Sequence, residues 1–303
     1  MKLKLFFLET RPQFLLLSVV LAFLGTCVAW YDGVFHLGHA ILAGVGLIIA
    51  HISCNTLNDY FDYKSGIDLV TNRTPFSGGS GMLKDGLLTP KEVFWLGMTC
   101  FIIDIPIGIY FILVKGWLLL PLLVVAALCI LLYSPLILKM HWPEWAAWLG
   151  LGFLPVVGMY FAQTGEYTWH VAVASVPSGF LVHNLLFLNE FPDVEADMIG
   201  KRKTLPIIMG RKKAGILYSA LTILIYLWII GWAIAWFFGA KTSLPPYTLI
   251  ALLTLPMAIK AIQGALKPDD MSKLMPALAN NVFMVLLLPL LMGIGYILAR
   301  VIG

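Results

Sequence analysis

Charged residues are scarce in this sequence. Asp, Glu, Lys and Arg make up only 12% of its residues, against roughly 25% in an average soluble domain. Hydrophobic residues reach 60%, and the mean hydropathy is +0.90. A soluble fold cannot hide so much apolar surface from water. The composition therefore excludes an ordinary soluble domain and predicts a protein for which lipid is the solvent.

Cysteine is also rare, and its spacing excludes two kinds of site. The four cysteines, Cys27, Cys54, Cys100 and Cys129, are far apart and each falls in an apolar stretch. No CxxC pair occurs, so neither a disulfide framework nor a zinc site is indicated. The sequence also lacks the regular alternation of apolar and polar residues that marks the strands of a transmembrane β-barrel, which excludes that fold.

Long apolar runs are what the sequence does contain. Each of nine runs approaches the roughly 20 residues that a spanning helix needs. They cover residues 13–30, 39–62, 92–113, 116–134, 144–162, 168–190, 214–238, 246–264 and 276–300. The first run lacks a small-residue cleavage pattern, so we expect a span rather than a signal peptide. We predict an all-α polytopic membrane bundle of about nine transmembrane helices, with one domain over residues 1–303.

The basic residues predict the orientation. With the N-terminus inside, 17 of the 20 Lys and Arg fall on one face, and only Lys115, Lys241 and Arg300 fall on the other. Such a bias marks the cytoplasmic side. The net charge of +4 then reflects this asymmetry, and we expect no binding of nucleic acid.

Two longer connections, near residues 63–91 and 191–213, lie on this basic face, and each begins with carboxylates. At the first, Asn55, Asp59 and Asp62 follow one another at i, i+4 and i+7, so they share one face of the second predicted helix. Asp68 comes after Gly66, where we expect the helix to have ended.

The second cluster repeats the first. Asn189, Asp193 and Asp197 are spaced i, i+4 and i+8, which predicts one helical face, with a kink at Pro192. Residues 58–62 and 189–193 both read Asn, acid, aromatic, any residue, Asp. Four helix crossings separate the clusters, so both point to the same side of the membrane.

Facing carboxylates repel one another, and burial would raise their pKa values. A divalent cation resolves the conflict, because Mg²⁺ is typically held by one or two carboxylates together with substrate phosphates. Nearby Lys and Arg would neutralise the remaining phosphate charge. A solvated acidic loop is the simpler alternative, but two matched clusters favour a site for magnesium and diphosphate.

These motifs resemble the UbiA superfamily of intramembrane prenyltransferases, which has nine helices and two Asp-rich motifs. Many members carry N-D-x-x-D-x-x-x-D, whereas here Asp62 is followed by Asp68, with Gly66 between them. That spacing is similar to the menaquinone branch, which prenylates 1,4-dihydroxy-2-naphthoate. The second motif with Lys201 and residues 204–205, and the segment 133–135, resemble family segments too.

The resemblance implies specific roles for these residues. The magnesium ligands would be Asn55, Asp59, Asp62, Asp68, Asp193 and Asp197, of which Asp59, Asp62, Asp193 and Asp197 are the expected catalytic residues. The residues expected around the diphosphate and its pocket are Lys64, Arg73, Lys201, Arg202, Asn189, Tyr133 and Lys139. The partners would be an allylic prenyl diphosphate, such as geranylgeranyl diphosphate, a lipophilic acceptor and the bilayer.

Two other functions stay open at this point. Asp104 lies within the third predicted helix, and an intramembrane acid is also typical of a transporter or channel. Transporter sites lie near the bilayer midplane, whereas most acids here lie at one edge. A non-catalytic lipid-binding scaffold is the other alternative. Within the superfamily the acceptor could also be a hydroxybenzoate, a glyceryl phosphate ether lipid, haem or a chlorin.

Overall fold

The computed structural model describes residues 2–70, 78–240 and 242–303, and within these ranges the chain forms helices, turns and loops but no strand. The α-helices are Lys2–Glu9 (α1), Pro12–Tyr31 (α2), Leu37–Ser65 (α3), Ile67–Val70 (α4), Pro90–Lys115 (α5), Leu120–Leu132 (α6), Glu144–Ala147 (α7), Leu154–Thr164 (α8), Trp169–Asn189 (α9), Val194–Ile199 (α10), Leu205–Met209 (α11), Arg211–Phe237 (α12), Leu255–Ala265 (α13) and Met271–Ile302 (α14).

The bundle predicted from hydropathy is confirmed. Eight helical segments of the described chain are long and apolar enough to cross a membrane, and Trp117–Leu132 is a shorter apolar ninth. Two spans are not regular α-helices throughout. The span Glu144–Thr164 contains a π-helical segment at Trp148–Phe153, and the span Pro246–Ala265 begins as a 3₁₀ helix.

Lipid-facing side chains cover the outside of the bundle. On α5, the apolar side chains of Ile102, Ile103, Ile105 and Ile109 are each about half exposed. A contiguous apolar surface of this kind is unfavourable in water, whereas the hydrocarbon of a bilayer solvates it. The chain is therefore an integral multi-pass membrane protein.

Local chain chemistry sets the helix ends near the acidic motifs. Gly66 ends α3 in the left-handed conformation, with φ of 80°, and its N–H donates to the carbonyl oxygen of Tyr63 at 3.1 Å. Asp68 consequently lies beyond the helix, in α4. At the start of α5, Thr89 and Glu92 form a reciprocal capping box.

The single helical face predicted for the second motif is wrong. Helix α9 ends at Asn189, and Asp193 precedes the short helix α10. Pro192 explains the break, because proline has no N–H to donate and disfavours helical geometry at the residue before it. Asp193 and Asp197 therefore belong to a separate turn and helix at the end of α9.

The helices of the bundle do not pack evenly, and a cavity is left beside α3. Helices α2, α8, α9, α12 and α14 share the largest buried core. Helix α3 packs mainly against α5 and touches α2, α6 and α8 less extensively. The gap between α3, α5, α6, α8 and α14 is the cavity described next.

Candidate functional site

A cavity of about 360 Å³ runs into the bundle from the end that carries the acidic motifs. Its mouth is polar and is lined by Arg11, Asn55, Asn58, Tyr133 and Asn189. The remaining wall is largely apolar. Asn55 and Ala43 both line it from α3, so the cavity extends about 18 Å along that helix.

Asp59 lies beside this mouth and is almost fully buried, with 2% of its surface exposed. Its Oδ2 accepts the backbone N–H of Ser80 at 2.7 Å. Its Oδ1 accepts no hydrogen bond from the described residues, and Nη1 of Arg11 lies 3.8 Å away. One oxygen of a buried carboxylate is thus left for another partner.

The N-terminal segment supplies a second buried carboxyl group. Glu9, at the end of α1, is fully buried, and its Oε2 accepts the Ser80 hydroxyl at 2.5 Å. Burial, with a further contribution from Asp59, raises the pKa of Glu9 to about 8. Ser80 therefore joins α1 to the first acidic motif.

Arg202 connects the two acidic motifs. One guanidinium nitrogen, Nη2, forms an ion pair with Oδ1 of Asp62, and Nη1 donates to Oδ1 of Asp197 at 3.0 Å. Burial raises the pKa of Asp197 to about 6, although Arg202 opposes the shift. The prediction that both motifs lie on one side of the bundle is therefore confirmed.

A pair of buried glutamates lies behind the second motif. Oε1 of Glu144 accepts the backbone N–H of Leu205 at 2.7 Å, which fixes the loop that carries Arg202. The Glu144 carboxyl group also lies close to that of Glu190, and the proximity of the two acids favours the neutral, protonated form of Glu190. Burial, and then Glu144, raise the pKa of Glu190 well above its ordinary value.

Four other polar residues lie around the mouth, and two of them are held by hydrogen bonds. Asn55 donates to the carbonyl oxygen of Thr10 at 3.2 Å, and Asn58 donates to the hydroxyl of Ser134 at 2.8 Å. The latter bond brings the first motif to the segment 133–135. Tyr133 and Asn189 line the cavity beside them.

Two predicted metal ligands lie less centrally. Asp68, in α4, is near enough to the first motif that burial, Asp62 and Asp59 raise its pKa to about 7. Asp193 is half-buried in the turn before α10. These positions place both at the motif end of the bundle, outside the cavity wall.

The predicted lysines are not part of the buried cluster. The side chains of Lys64, Lys139 and Lys201 are exposed, and no ion pair joins them to another described residue. The backbone at Lys201 is left-handed, with φ of 57°, where the loop turns towards Arg202. Arg73 lies outside the described residues.

Sequence reasoning missed Glu9, Arg11 and Glu144 as neighbours of the site. None of them belongs to an acidic motif. Glu9 and Arg11 stand directly before the first apolar run, and that charged pair at a helix entrance is the signal that could have marked them. Glu144 carries no comparable signal.

The first motif has the chemistry that a magnesium ion requires. Oδ1 of Asp59 is a hard oxygen donor, buried and without a hydrogen bond. Gly79, with φ of 70°, leaves open the space where a Cβ would lie 3.3 Å from this oxygen. No group of three or more His, Cys, Asp and Glu side chains in the described chain could hold a metal ion, so water and phosphate oxygens would complete the coordination.

Comparisons with known proteins agree with these observations. The family model of the UbiA prenyltransferase family matches residues 18–299. The chain is 28% identical to a 1,4-dihydroxy-2-naphthoate octaprenyltransferase of Bacillus subtilis, with 95% of this chain and 91% of the relative covered. It is 30% identical to a digeranylgeranylglyceryl phosphate synthase of Thermococcus kodakarensis, with 74% and 76% covered.

The fold also matches solved structures. A UbiA homologue from Archaeoglobus fulgidus, bound to DMAPP and Mg²⁺, has a TM-score of 0.59 and 15% identity, with 96% of this chain and 98% of that chain covered. At this identity the likeness shows the fold alone.

Proposed function

This chain belongs to the UbiA prenyltransferase family, and we propose that it transfers a polyprenyl group from an allylic prenyl diphosphate to a lipophilic acceptor in a Mg²⁺-dependent reaction within the membrane. One observation carries the proposal: two acidic motifs, joined through Arg202, meet at the polar mouth of an apolar cavity. Family membership favours this enzyme over a transporter or a binding scaffold.

The two ends of the cavity suit the two ends of the donor. The diphosphate would lie at the mouth, near Asn55, Asn58 and Tyr133, and the prenyl tail would follow the apolar wall towards Phe111. Apolar walls exclude water, which protects the carbon that becomes cationic when the allylic C–O bond breaks. The bonding electrons leave with the diphosphate, an electron-rich acceptor then attacks that carbon, and the acceptor gives up a positively charged group, a proton in the simplest case, to restore its neutrality.

The residues proposed to hold magnesium are the acids of both motifs. Asp59 offers its free Oδ1, and Asn55, Asp62, Asp68, Asp193 and Asp197 surround the same end of the bundle. When bound, Mg²⁺ offsets the negative charge of the leaving diphosphate. Arg202 holds Asp62 and Asp197 in place and offers a fixed guanidinium fork that matches phosphate oxygens. Lys64, Arg73, Lys139 and Lys201 would add positive charge from the surface.

The acceptor that we propose first is 1,4-dihydroxy-2-naphthoate. Support comes from the Bacillus subtilis relative, which covers nearly the whole chain, and from a second octaprenyltransferase of Haemophilus influenzae at 23% identity. A glyceryl phosphate ether lipid is the second candidate, since the Thermococcus kodakarensis synthase is 30% identical over 238 residues. We further propose that this site faces the cytoplasm, because most Lys and Arg lie at the same end of the predicted spans.

The test is prenyl transfer by the purified protein in lipid, with and without Mg²⁺. Geranylgeranyl diphosphate would be offered with dihydroxynaphthoate and, separately, with a glyceryl phosphate ether lipid, and the products identified by mass. We expect a magnesium-dependent prenylated product. Asp59→Ala and Asp193→Ala should each abolish turnover while the protein remains folded, and normal turnover in either variant would refute the assignment of the metal site.

A further inference from the structure

Glu9 is a buried acid that neither acidic motif contains. It is the last residue of α1, and none of its surface is exposed. Its Oε2 is bound to the Ser80 hydroxyl, but its Oε1 is buried and accepts no hydrogen bond from the described residues. A buried carboxyl oxygen without a partner costs free energy unless something else satisfies it.

Ser80 brings Glu9 and Asp59 to one place. Its hydroxyl donates to Oε2 of Glu9 at 2.5 Å, and its backbone N–H donates to Oδ2 of Asp59 at 2.7 Å. Each carboxyl group thus uses one oxygen for Ser80, and its other oxygen is buried and unsatisfied. The two free oxygens belong to groups that are anchored by the same residue.

Arg11 attracts both carboxylates electrostatically but donates no hydrogen bond to their unsatisfied oxygens. Arg11 is the cationic neighbour, but its Nη1 lies 3.8 Å from Oδ1 of Asp59, which is too far for a hydrogen bond. Arg11 itself has φ of 55° and ψ of 60°, a left-handed backbone conformation that is unfavourable for a non-glycine residue. That conformation turns the chain between Glu9 and the start of α2.

Taking the proposed function as given, we propose that Glu9 is a further ligand of the divalent cation, acting together with Asp59. Two carboxylate oxygens of this kind, completed by diphosphate oxygens and water, form the oxygen-rich set that Mg²⁺ prefers. Glu9 thereby couples α1 to substrate binding. The first acidic motif is completed by a residue about fifty positions before it in the chain.

A purely structural role for Glu9 makes a different prediction. If the Glu9 carboxyl group only fastens Ser80, Glu9→Gln keeps an acceptor oxygen of the same shape and is harmless, whereas Ser80→Ala removes the bond. If Glu9 is a cation ligand, Glu9→Gln removes the charge that binds the metal. In that case Ser80→Ala should have little effect on metal binding, because it leaves both carboxylates in place together with the backbone N–H that donates to Asp59.

The experiment measures binding of Mn²⁺, as a paramagnetic stand-in for Mg²⁺, to the full chain in lipid nanodiscs with inorganic diphosphate present. Electron paramagnetic resonance counts the free Mn²⁺, so no turnover is needed. We expect Glu9→Gln to weaken Mn²⁺ binding about 10–100-fold, and Ser80→Ala to weaken it much less. Glu92→Gln is the matched control, since Glu92 packs near α1 through Lys2 and keeps its capping function as Gln.

The outcomes separate this inference from the proposed function. If Glu9→Gln binds Mn²⁺ like the unmodified protein while Asp59→Asn does not, Glu9 is no ligand and the proposed function stands. If Ser80→Ala and Glu9→Gln lose binding equally, the role of Glu9 is structural. If the unmodified protein binds no Mn²⁺ with diphosphate, both proposals fail.

Discussion

Two largely buried polar clusters lie at opposite ends of α2, and they differ in how completely their hydrogen bonds are satisfied. The site cluster, around Glu9 and Asp59, lies beside the start of α2. The far cluster, around Asp32 and His170, lies beyond its end, about 30 Å away. Asp32 itself is exposed, but its partners Tyr160, His170 and Tyr296 are buried, so both clusters place buried polar side chains inside an apolar bundle.

Hydrogen bonding does distinguish them. In the far cluster, Asp32 accepts from the hydroxyl of Tyr160 at 2.8 Å and contacts Nδ1 of His170 at 3.0 Å. The other ring nitrogen of His170 bonds to the hydroxyl of Tyr296 at 3.0 Å. Each side chain of this cluster has a partner among the described residues.

The site cluster is left incomplete. Buried oxygens of Glu9, Asp59, Glu144, Glu190 and Thr204 accept no conventional hydrogen bond from the described residues. Each such group costs about 1–3 kcal/mol when nothing satisfies it. A satisfied polar network stabilises a fold, whereas an unsatisfied one indicates a missing ligand or proton. The comparison therefore assigns stability to the far cluster and binding to the site cluster.

The largest effect is expected at Arg202. Arg202→Lys keeps the charge but cannot reach Asp62 and Asp197 together through a planar fork. We expect kcat/KM to fall about 100-fold, similar to the loss of one well-placed electrostatic donor. Steady-state prenyl transfer measures the change.

The matched control is Arg211→Lys. Arg211 also binds a carboxylate through two contacts of 2.7 Å, but its partner Glu195 is exposed. We expect less than a threefold change in kcat/KM. Equal losses in the two variants would mean that arginine pairing near α10 matters only for folding.

In the far cluster we expect a smaller effect, on the stability of the fold rather than on turnover. Asp32→Asn cannot satisfy Tyr160 and His170 in the same way, and the loss should destabilise the protein by about 1–3 kcal/mol. We expect a lower Tm in thermal unfolding, with kcat/KM of the folded protein changed less than twofold. A loss of turnover without a loss of Tm would reverse the roles of the two clusters.

Sequence alone predicts the spans well because each is a property of one continuous segment. The run 39–62 corresponds to Leu37–Ser65, and the run 168–190 to Trp169–Asn189. The helical face shared by Asn55, Asp59 and Asp62 follows from spacing in the same way. For Asn189, Asp193 and Asp197 that reasoning fails, since Pro192 breaks the helix on which the spacing depends.

Contacts between distant segments could not be predicted from the sequence. The Ser80 hydroxyl reaches Glu9 across 71 positions, and Arg202 reaches Asp62 across 140. Periodicity describes one element at a time and carries no information on which loop returns to which helix. The acids of the motifs and Arg202 could therefore be named in advance, but the contacts that hold the acids in place could not.

The smallest effect is a dependence of stability on pH, which should originate in the site cluster. Burial and Glu144 raise the pKa of Glu190 well above 4.5, and burial and Asp59 raise that of Glu9 to about 8. Between pH 4.5 and 8 these two groups consequently bind more protons in the folded protein than in the unfolded chain. Stability must then fall as the pH rises through this window.

We expect Tm without divalent cations to decrease from pH 6 to pH 8.5, and Glu190→Gln to flatten that slope. Glu195→Gln, at an exposed position, should leave it unchanged; a Tm that rises with pH would contradict the protonated state of the pair Glu144 and Glu190.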